Sequence, residues 1–172
     1  KSVFGENGEL VCTKPFPSMP LHFWNDSDGS KYQSAYFEEF KGVWTHGDYI
    51  EITANKGAII YGRSDTTLNP GGVRIGTAEI YRAIEGLPEI DDTVVVGRPN
   101  NGDVDVILFI KLVEANHYDN DFESKIKKLI RLKTTPRHVP KEIHPVTDIP
   151  YTISGKKVEK AVLAKILGKK VK

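Results

Sequence analysis

Three short stretches of the sequence hold residues whose types and spacing suit a phosphorylated ligand. The first is Trp44-Thr-His-Gly-Asp48. An ionised aspartate is an acceptor-only group with two oxygens, so Asp48 can accept two hydrogen bonds from a ribose diol. An aspartate after glycine can equally bond its own backbone in a turn. The second runs Gly62-Arg-Ser-Asp-Thr-Thr-Leu-Asn-Pro-Gly-Gly-Val-Arg-Ile75. Arg63 and Asp65 can form a surface ion pair of small worth. The two glycines Gly71 and Gly72 allow a ligand to approach the backbone closely, and Arg74 can make charge-assisted, bidentate bonds to a phosphate. A plain hairpin turn with a solvated arginine fits the same residues. The third is Pro150-Tyr-Thr-Ile-Ser-Gly-Lys156. It is no Walker loop, because Pro150 stands where the first glycine would be. A lysine after glycine on a loop suits a compact ammonium that must enter an anionic site and leave it again. Its neighbour Lys157 is expected to be solvated.

Other chemistries lack their residues. The five histidines are scattered without His-Glu-x-x-His spacing, and one cysteine, Cys12, has no partner. No metal site is therefore read from the sequence, and no Gly-x-Ser-x-Gly elbow is present. Cys12 lies in an apolar, strand-like run and reads as a small buried hydrophobe.

The elements that must position these stretches differ between the two parts of the chain. Residues 1–62 read as short strands broken by glycine and proline. Tyr49-Ile-Glu-Ile-Thr53 and Ala58-Ile-Ile-Tyr61 form a hairpin about Asn55-Lys-Gly57. A short helix is expected over Ala35–Phe40. This part carries many aromatics on few long apolar runs, so its strands look like a piece of a larger sheet. Open edges and apolar faces there could pair between chains. From Thr66 onward the pattern is α+β. Thr77 is expected to cap a helix with Ile80, Ala83, Ile84 and Leu87 on one face. Asp92–Gly97 and Val104–Leu112 read as strands buried on both faces. Asp119 or Asp121 opens a helix carrying Phe122, Ile126, Leu129 and Ile130, and Pro136 closes that region. Glu142–Val146 is a short third strand, and a final helix runs from Val158 to about Leu167.

Composition sets the bounds. The chain has 172 residues, 39% hydrophobic and 27% charged, with a net charge of +1. That suits one sizeable globular domain, or one domain and part of another. The balance gives no electrostatic case for nucleic acid. Lys165, Lys169, Lys170 and Lys172 gather at the end, where cations suit a solvated helix terminus. No apolar run has the length of a membrane span. A single cysteine excludes a disulfide within the chain and points to the cytosol.

Taken in this order, the three stretches resemble the C-terminal end of the adenylate-forming enzymes: acyl-CoA synthetases, luciferases and peptide-synthetase adenylation domains. Gly8-Glu-Leu-Val11, Lys14-Pro-Phe-Pro-Ser-Met-Pro-Leu-His-Phe-Trp-Asn25 and Tyr32-Gln-Ser-Ala-Tyr-Phe37 are similar to those of the acetoacetyl-CoA synthetases. The resemblance covers nearly the whole chain. It implies that residues 1–62 close a large N-terminal domain, that residues 63–66 are a hinge, and that residues 67–172 are a lid with a small, mainly three-stranded sheet, flanking helices and a hairpin. It implies ribose binding by Asp48, with His46 in the place of the usual threonine, and nucleotide contact by Arg63. Asp65 would be the hinge residue; aspartate tolerates two backbone settings better than most residues. Passage of CoA is implied past Gly71 and Gly72, phosphate contact by Arg74, and contact of Arg131 with the 3′-phosphate of CoA, although Arg131 also reads as part of a solvated basic helix face. Val73 stands where an aromatic or histidine is common, and Tyr81 where a second acidic residue is common.

Lys156 is the catalytic residue by this resemblance. It would bridge the substrate carboxylate and the α-phosphate as the acyl-adenylate forms. The implied reaction joins acetoacetate to CoA with cleavage of ATP to AMP and pyrophosphate, Mg²⁺ arriving with the ATP phosphates. The phosphate-binding loop, adenine pocket and acyl pocket of such enzymes lie upstream of residue 1, so the chain alone is expected to be inactive. Two other readings fit the same residues. An acetyl- or propionyl-type synthetase shares the lysine and hinge motifs but not the proline-rich first segment. A non-catalytic binding module with the lid fold would bind its partner unchanged when Lys156 or Asp65 is replaced.

Overall fold

The computed structural model describes residues 3–114 and 116–170; Lys172 of the C-terminal lysine group lies outside them. The chain divides into two compact units, Lys1–Asp65 and Thr66–Lys172.

In the first unit, strands β1 (Asn7–Cys12), β2 (Trp44–Ile52) and β3 (Ala58–Arg63) form an antiparallel sheet in that order. The β2–β3 hairpin closes on the Asn55–Gly57 turn, where Lys56 takes φ 61 and the Thr53 N–H donates to the Gly57 carbonyl at 2.9 Å. Tyr49 and Ile50 are the buried residues at the middle of β2, and Trp44 and Thr45 at its start. A helix, α1 (Ser30–Phe37), lies earlier than the sequence predicts. The two oxygens of Asp26 accept from the Lys31 and Tyr32 N–H groups, which fixes the start in the polar turn before it. The helix lays Tyr36 flat on Trp44, ring centroids 3.6 Å apart, with Phe16 and Phe37 edge-on to the same indole. Aromatic pairs thus supply the packing that long apolar runs do not. Cys12 is only half-buried, at the end of β1, rather than the fully buried residue expected.

The second unit has a sheet of order β4-β5-β6. β4 (Ile90–Asn100) and β5 (Asp103–Leu112) form a hairpin about Asn101 and Gly102, both at positive φ (49 and 83), the conformation that Asn-Gly turns supply. β6 (Glu142–Val146) runs parallel to β5. The crossover between them carries α3 (Asn120–Lys133), as a parallel pair requires. Successive residues on a strand face opposite ways. Val95, Leu108 and Ile110 pack with Ile80, Ala83 and Ile84 of α2 (Thr77–Ile84) and with Phe122, Ile126 and Ile130 of α3. Val94, Val96 and Ile107, on the other face, are equally buried. That accounts for the continuous apolar runs. Burial of each such side chain contributes about 1.5–3 kcal/mol. The last helix, α4 (Glu159–Ile166), packs against β4.

The helix starts distinguish two aspartates and correct one cap. Asp119 accepts from the Phe122 N–H at 2.8 Å and caps α3, whereas Asp121 lies within the first turn. Gly76, not Thr77, occupies the cap position of α2, and its N–H donates to Glu79 Oε1 at 2.8 Å. Thr77 is buried as the first helical residue.

Candidate functional site

The first unit gathers the residues around Asp48. Gly47 takes φ 81, which turns the β2 backbone before Asp48. The Arg63 guanidinium lies against that glycine: a Cβ there would stand 2.7 Å from Nη2. Arg63 donates from Nη1 to the His46 carbonyl at 3.2 Å and from Nη2 to Asp65 Oδ2 at 3.5 Å. Its Nη1 is 3.8 Å from Asp48 Oδ1. His46 Nε2 stands 3.4 Å from the other Asp48 oxygen. Asp48, Arg63 and Asp65 thus form one row of alternating charge, ordered by the pairing of Asp48 with Arg63 across β2 and β3. Glu9 on β1 holds the row from the other side. One oxygen accepts from the Gly47 N–H at 3.0 Å, and the other accepts from the Ser64 hydroxyl. The sequence offered no motif for Glu9; only the strand pairing brings it there.

The second unit holds two loops that bear candidate residues. In the Pro70–Gly72 turn, Gly71 and Gly72 take φ 58 and 77. Leu68 and Ile75 close the turn through paired backbone hydrogen bonds of 2.9 and 2.8 Å. The Gly71 N–H donates to Asp103 Oδ1 at 2.6 Å. That bond and one from the Val104 N–H hold the Asp103 carboxyl below the usual carboxylate range. The Arg137 guanidinium covers Gly71 so closely that a Cβ would stand 1.6 Å from its Nη1, whereas the space over Gly72 is open. Arg74 donates from Nε to Thr67 Oγ1 at 3.1 Å, across the same small hairpin. Arg131 is exposed in the last turn of α3. The arginine laid over the glycine turn is Arg137, just after Pro136, a position with no motif to single it out.

A short turn ties Arg137 to α2. His138 is buried, with Nδ1 2.9 Å from Thr135 Oγ1 and Nε2 3.2 Å from Glu79 Oε2. Burial pushes the Glu79 carboxyl up, but the bonds from His138 and the Gly76 N–H outweigh it and leave it below its ordinary value.

The Lys156 loop is built differently. Tyr151 and Lys157 pair across its base. Inside, the Thr152 N–H donates to the Lys156 carbonyl at 2.8 Å, and Thr152 Oγ1 accepts from the Lys156 N–H at 3.0 Å. Gly155 at φ 76 completes the turn. Ile153 and Lys156 are exposed. Lys157 is half-buried, not solvated as its sequence position suggests. Its ammonium is 2.7 Å from Asp92 Oδ1, donates to the Thr93 carbonyl at 2.5 Å and lies 4.5 Å from the centre of the Tyr81 ring. Tyr151 donates to the second Asp92 oxygen at 2.5 Å, and this bond pushes its phenol up to about 12. Burial raises the Asp92 carboxyl, but Lys157, Tyr151 and the Thr93 N–H draw it below its ordinary value. Tyr81 is enclosed between the Glu159 carboxylate at 2.6 Å and the Val95 N–H at 3.0 Å. Burial first, and Glu159 second, push its phenol far up. Among the described residues no three His, Cys, Asp or Glu side chains gather as a cation site. Among the described residues no helix is long and apolar enough to cross a membrane.

Residues 79–156 match the AMP-binding enzyme C-terminal domain. Acetoacetyl-CoA synthetase of Xenopus tropicalis is 53% identical over 173 residues, covering 99% of this chain and 26% of that protein. Acetoacetyl-coenzyme A synthetase of Rhizobium meliloti (strain 1021) is 52% identical over 172 residues, covering 100% of this chain and 26% of the relative. The solved structure of acetoacetyl-CoA synthetase from Streptomyces lividans superposes with a TM-score of 0.91 at 44% identity, over 98% of this chain and 25% of that one. The chain spans about a quarter of the length of the curated relatives it matches. The second unit thus carries a match to the C-terminal domain of AMP-binding enzymes, and the chain is similar to acetoacetyl-CoA synthetases along nearly its full length, with about half its residues identical.

Proposed function

We propose that this chain is the C-terminal part of a cytosolic ligase that joins acetoacetate to CoA at the expense of ATP. The observation that carries this reading is the 53% identity to an acetoacetyl-CoA synthetase over 99% of the chain. In the first step, a carboxylate oxygen of acetoacetate attacks the α-phosphorus of ATP. The bond to pyrophosphate breaks, leaving acetoacetyl-AMP. The Lys156 ammonium meets the negative charge shared by the carboxylate and the α-phosphate oxygens, which accelerates the step because that charge grows in the transition state. Asp48 accepts from the ribose diol. Arg63, held against Asp48 and Asp65, keeps that carboxylate oriented.

In the second step, the CoA thiolate attacks the acyl carbon, and AMP leaves as the thioester forms. Gly72, over which the space is open, gives the pantetheine chain a backbone surface beside Gly71 and the Arg137 guanidinium that covers it. Arg74 meets phosphate oxygens at the nucleotide, and Arg131 meets the 3′-phosphate of CoA. Asp65, the last residue of the first unit, is the hinge about which the second unit turns between the steps, so that one unit serves two transition states. Mg²⁺ accompanies the ATP phosphates, and no step is assigned to a cation held by this chain. The upstream pockets are needed for turnover, so the 172-residue chain by itself forms no acetoacetyl-CoA.

The test is thioester formation by the full-length protein with ATP and CoA, acetoacetate against acetate. Preference for acetoacetate supports the reading. Preference for acetate moves the assignment to an acetyl-type synthetase, and thioester formation by the isolated chain contradicts its dependence on upstream pockets.

A further inference from the structure

The lysine assigned to adenylation sits on a loop whose two ends converge on one carboxylate. Tyr151 precedes the loop and Lys157 follows it. They pair with each other, and each then bonds a different oxygen of Asp92, at 2.5 and 2.7 Å. Asp92 belongs to β4, which is paired along its length with β5, so the anchor is part of the sheet. Lys157 is held a second time by the Thr93 carbonyl and packs on Tyr81. Tyr81 in turn ties Glu159, at the start of α4, to the Val95 N–H. Between these fixed ends, Thr152 bonds both backbone groups of Lys156, while the Lys156 side chain stands in solvent. Two adjacent lysines therefore have opposite situations. Lys157 is paired with Asp92 and bonded to the Thr93 carbonyl, and those contacts fix the residue that follows Lys156.

We propose that Asp92, clamping Tyr151 and Lys157, is a positioning residue that presents the Lys156 ammonium for the adenylation step. The inference rests on the reading of Lys156 given above. A charged group acts on a transition state only when its position is set before the reaction, and a displacement of an ångström costs orders of magnitude in rate. Loss of the clamp leaves Lys156 with its charge and removes its address. The defect therefore belongs to kcat of the first step. It spares the KM for ATP, and it spares transfer of the acyl group from a supplied acyl-adenylate to CoA.

The experiment compares the full-length protein with its Asp92→Asn, Tyr151→Phe and Lys156→Ala variants. It measures acetoacetate-dependent exchange of labelled pyrophosphate into ATP, and separately CoA thioester formation from supplied acetoacetyl-AMP. Asp92→Asn is expected to lower the kcat of exchange about 10- to 100-fold, with the KM for ATP and the thioester half-reaction changed less than about threefold. Tyr151→Phe removes one exposed hydroxyl, is expected to fold normally and should give a smaller loss of the same kind. It decides the matter should Asp92→Asn not fold. Unchanged exchange in both clamp variants, with exchange lost in Lys156→Ala, overturns the clamp and leaves the role of Lys156 standing. Equal loss in both half-reactions also overturns it, by showing a general structural role. Exchange retained in Lys156→Ala overturns the reading beneath it.

Discussion

The two candidate loops of the second unit are held by opposite means. The Gly71–Gly72 turn depends on backbone: two left-handed residues, an N–H bonded by Asp103 and an arginine lying on a bare Cα. The Lys156 loop depends on side chains at its base, where Tyr151 and Lys157 share Asp92, and it leaves the side chains at its tip in solvent. A loop of the first kind offers a surface along which an uncharged chain can pass. One of the second kind delivers a single charge on a fixed stem. The contrast matches the needs of the two proposed half-reactions, passage of pantetheine in one and stabilisation of a growing anionic charge in the other.

Substitutions can break this contrast. The largest effect is expected from Lys156→Ala in the full-length protein. Adenylation, followed by pyrophosphate exchange, should fall about 10²- to 10³-fold, the usual cost of removing one electrostatic stabiliser of a transition state.

Gly71→Ala should come next. Its new Cβ meets Arg137 at 1.6 Å with φ at 58. A loss of about 1–3 kcal/mol in stability is expected from strain and clash together, with thioester formation reduced more than exchange. Gly72→Ala sharpens the point, because the space there is open and φ is 77. Only the backbone strain should remain, about 1 kcal/mol. Chemical denaturation and the two half-reaction assays check both variants.

The smallest effect concerns Glu79, which bonds the Gly76 N–H and His138 beside Arg137. Its folded carboxyl lies below the ordinary value of 4.5. The carboxylate therefore contributes stability that is present above pH 4.5 and lost as pH falls toward the folded value. Glu79→Gln should lower stability at neutral pH and flatten its decline below pH 4.5. Denaturant titrations of the isolated chain from pH 7 to 3 measure this. An unchanged slope would show that Glu79 gives the turn no ionic support.

Much of the second unit was legible because its patterns are local. Ile126 and Ile130 repeat at helical spacing, Asp119 stands one residue before its helix, and Val94–Val96 read as a strand buried on both faces, which they are. The cap at Gly76 was not legible, since a glycine has no side chain to announce it, and its bond depends on Glu79 reaching back. Lys156 was marked by the glycine before it and by the resemblance of its stretch to the adenylate-forming enzymes. Lys157 was misread because solvation is the ordinary state of a second lysine, and the carboxylate that holds it lies 65 positions earlier (157 − 92). Glu9 and Arg137 were missed for the same reason. Each acts through a tertiary contact, on Gly47 and Gly71 respectively, and neither belongs to a local motif.

The central claim is that one unit serves two steps and that Lys156 acts in only the first. Its most direct test is the ratio of the two half-reactions in Lys156→Ala of the full-length protein: acetoacetate-dependent pyrophosphate exchange against thioester formation from supplied acetoacetyl-AMP. The account predicts exchange reduced at least about 100-fold while thioester formation stays within about threefold of the unaltered protein. Equal reduction of both rates, or exchange at the unaltered rate, would contradict it.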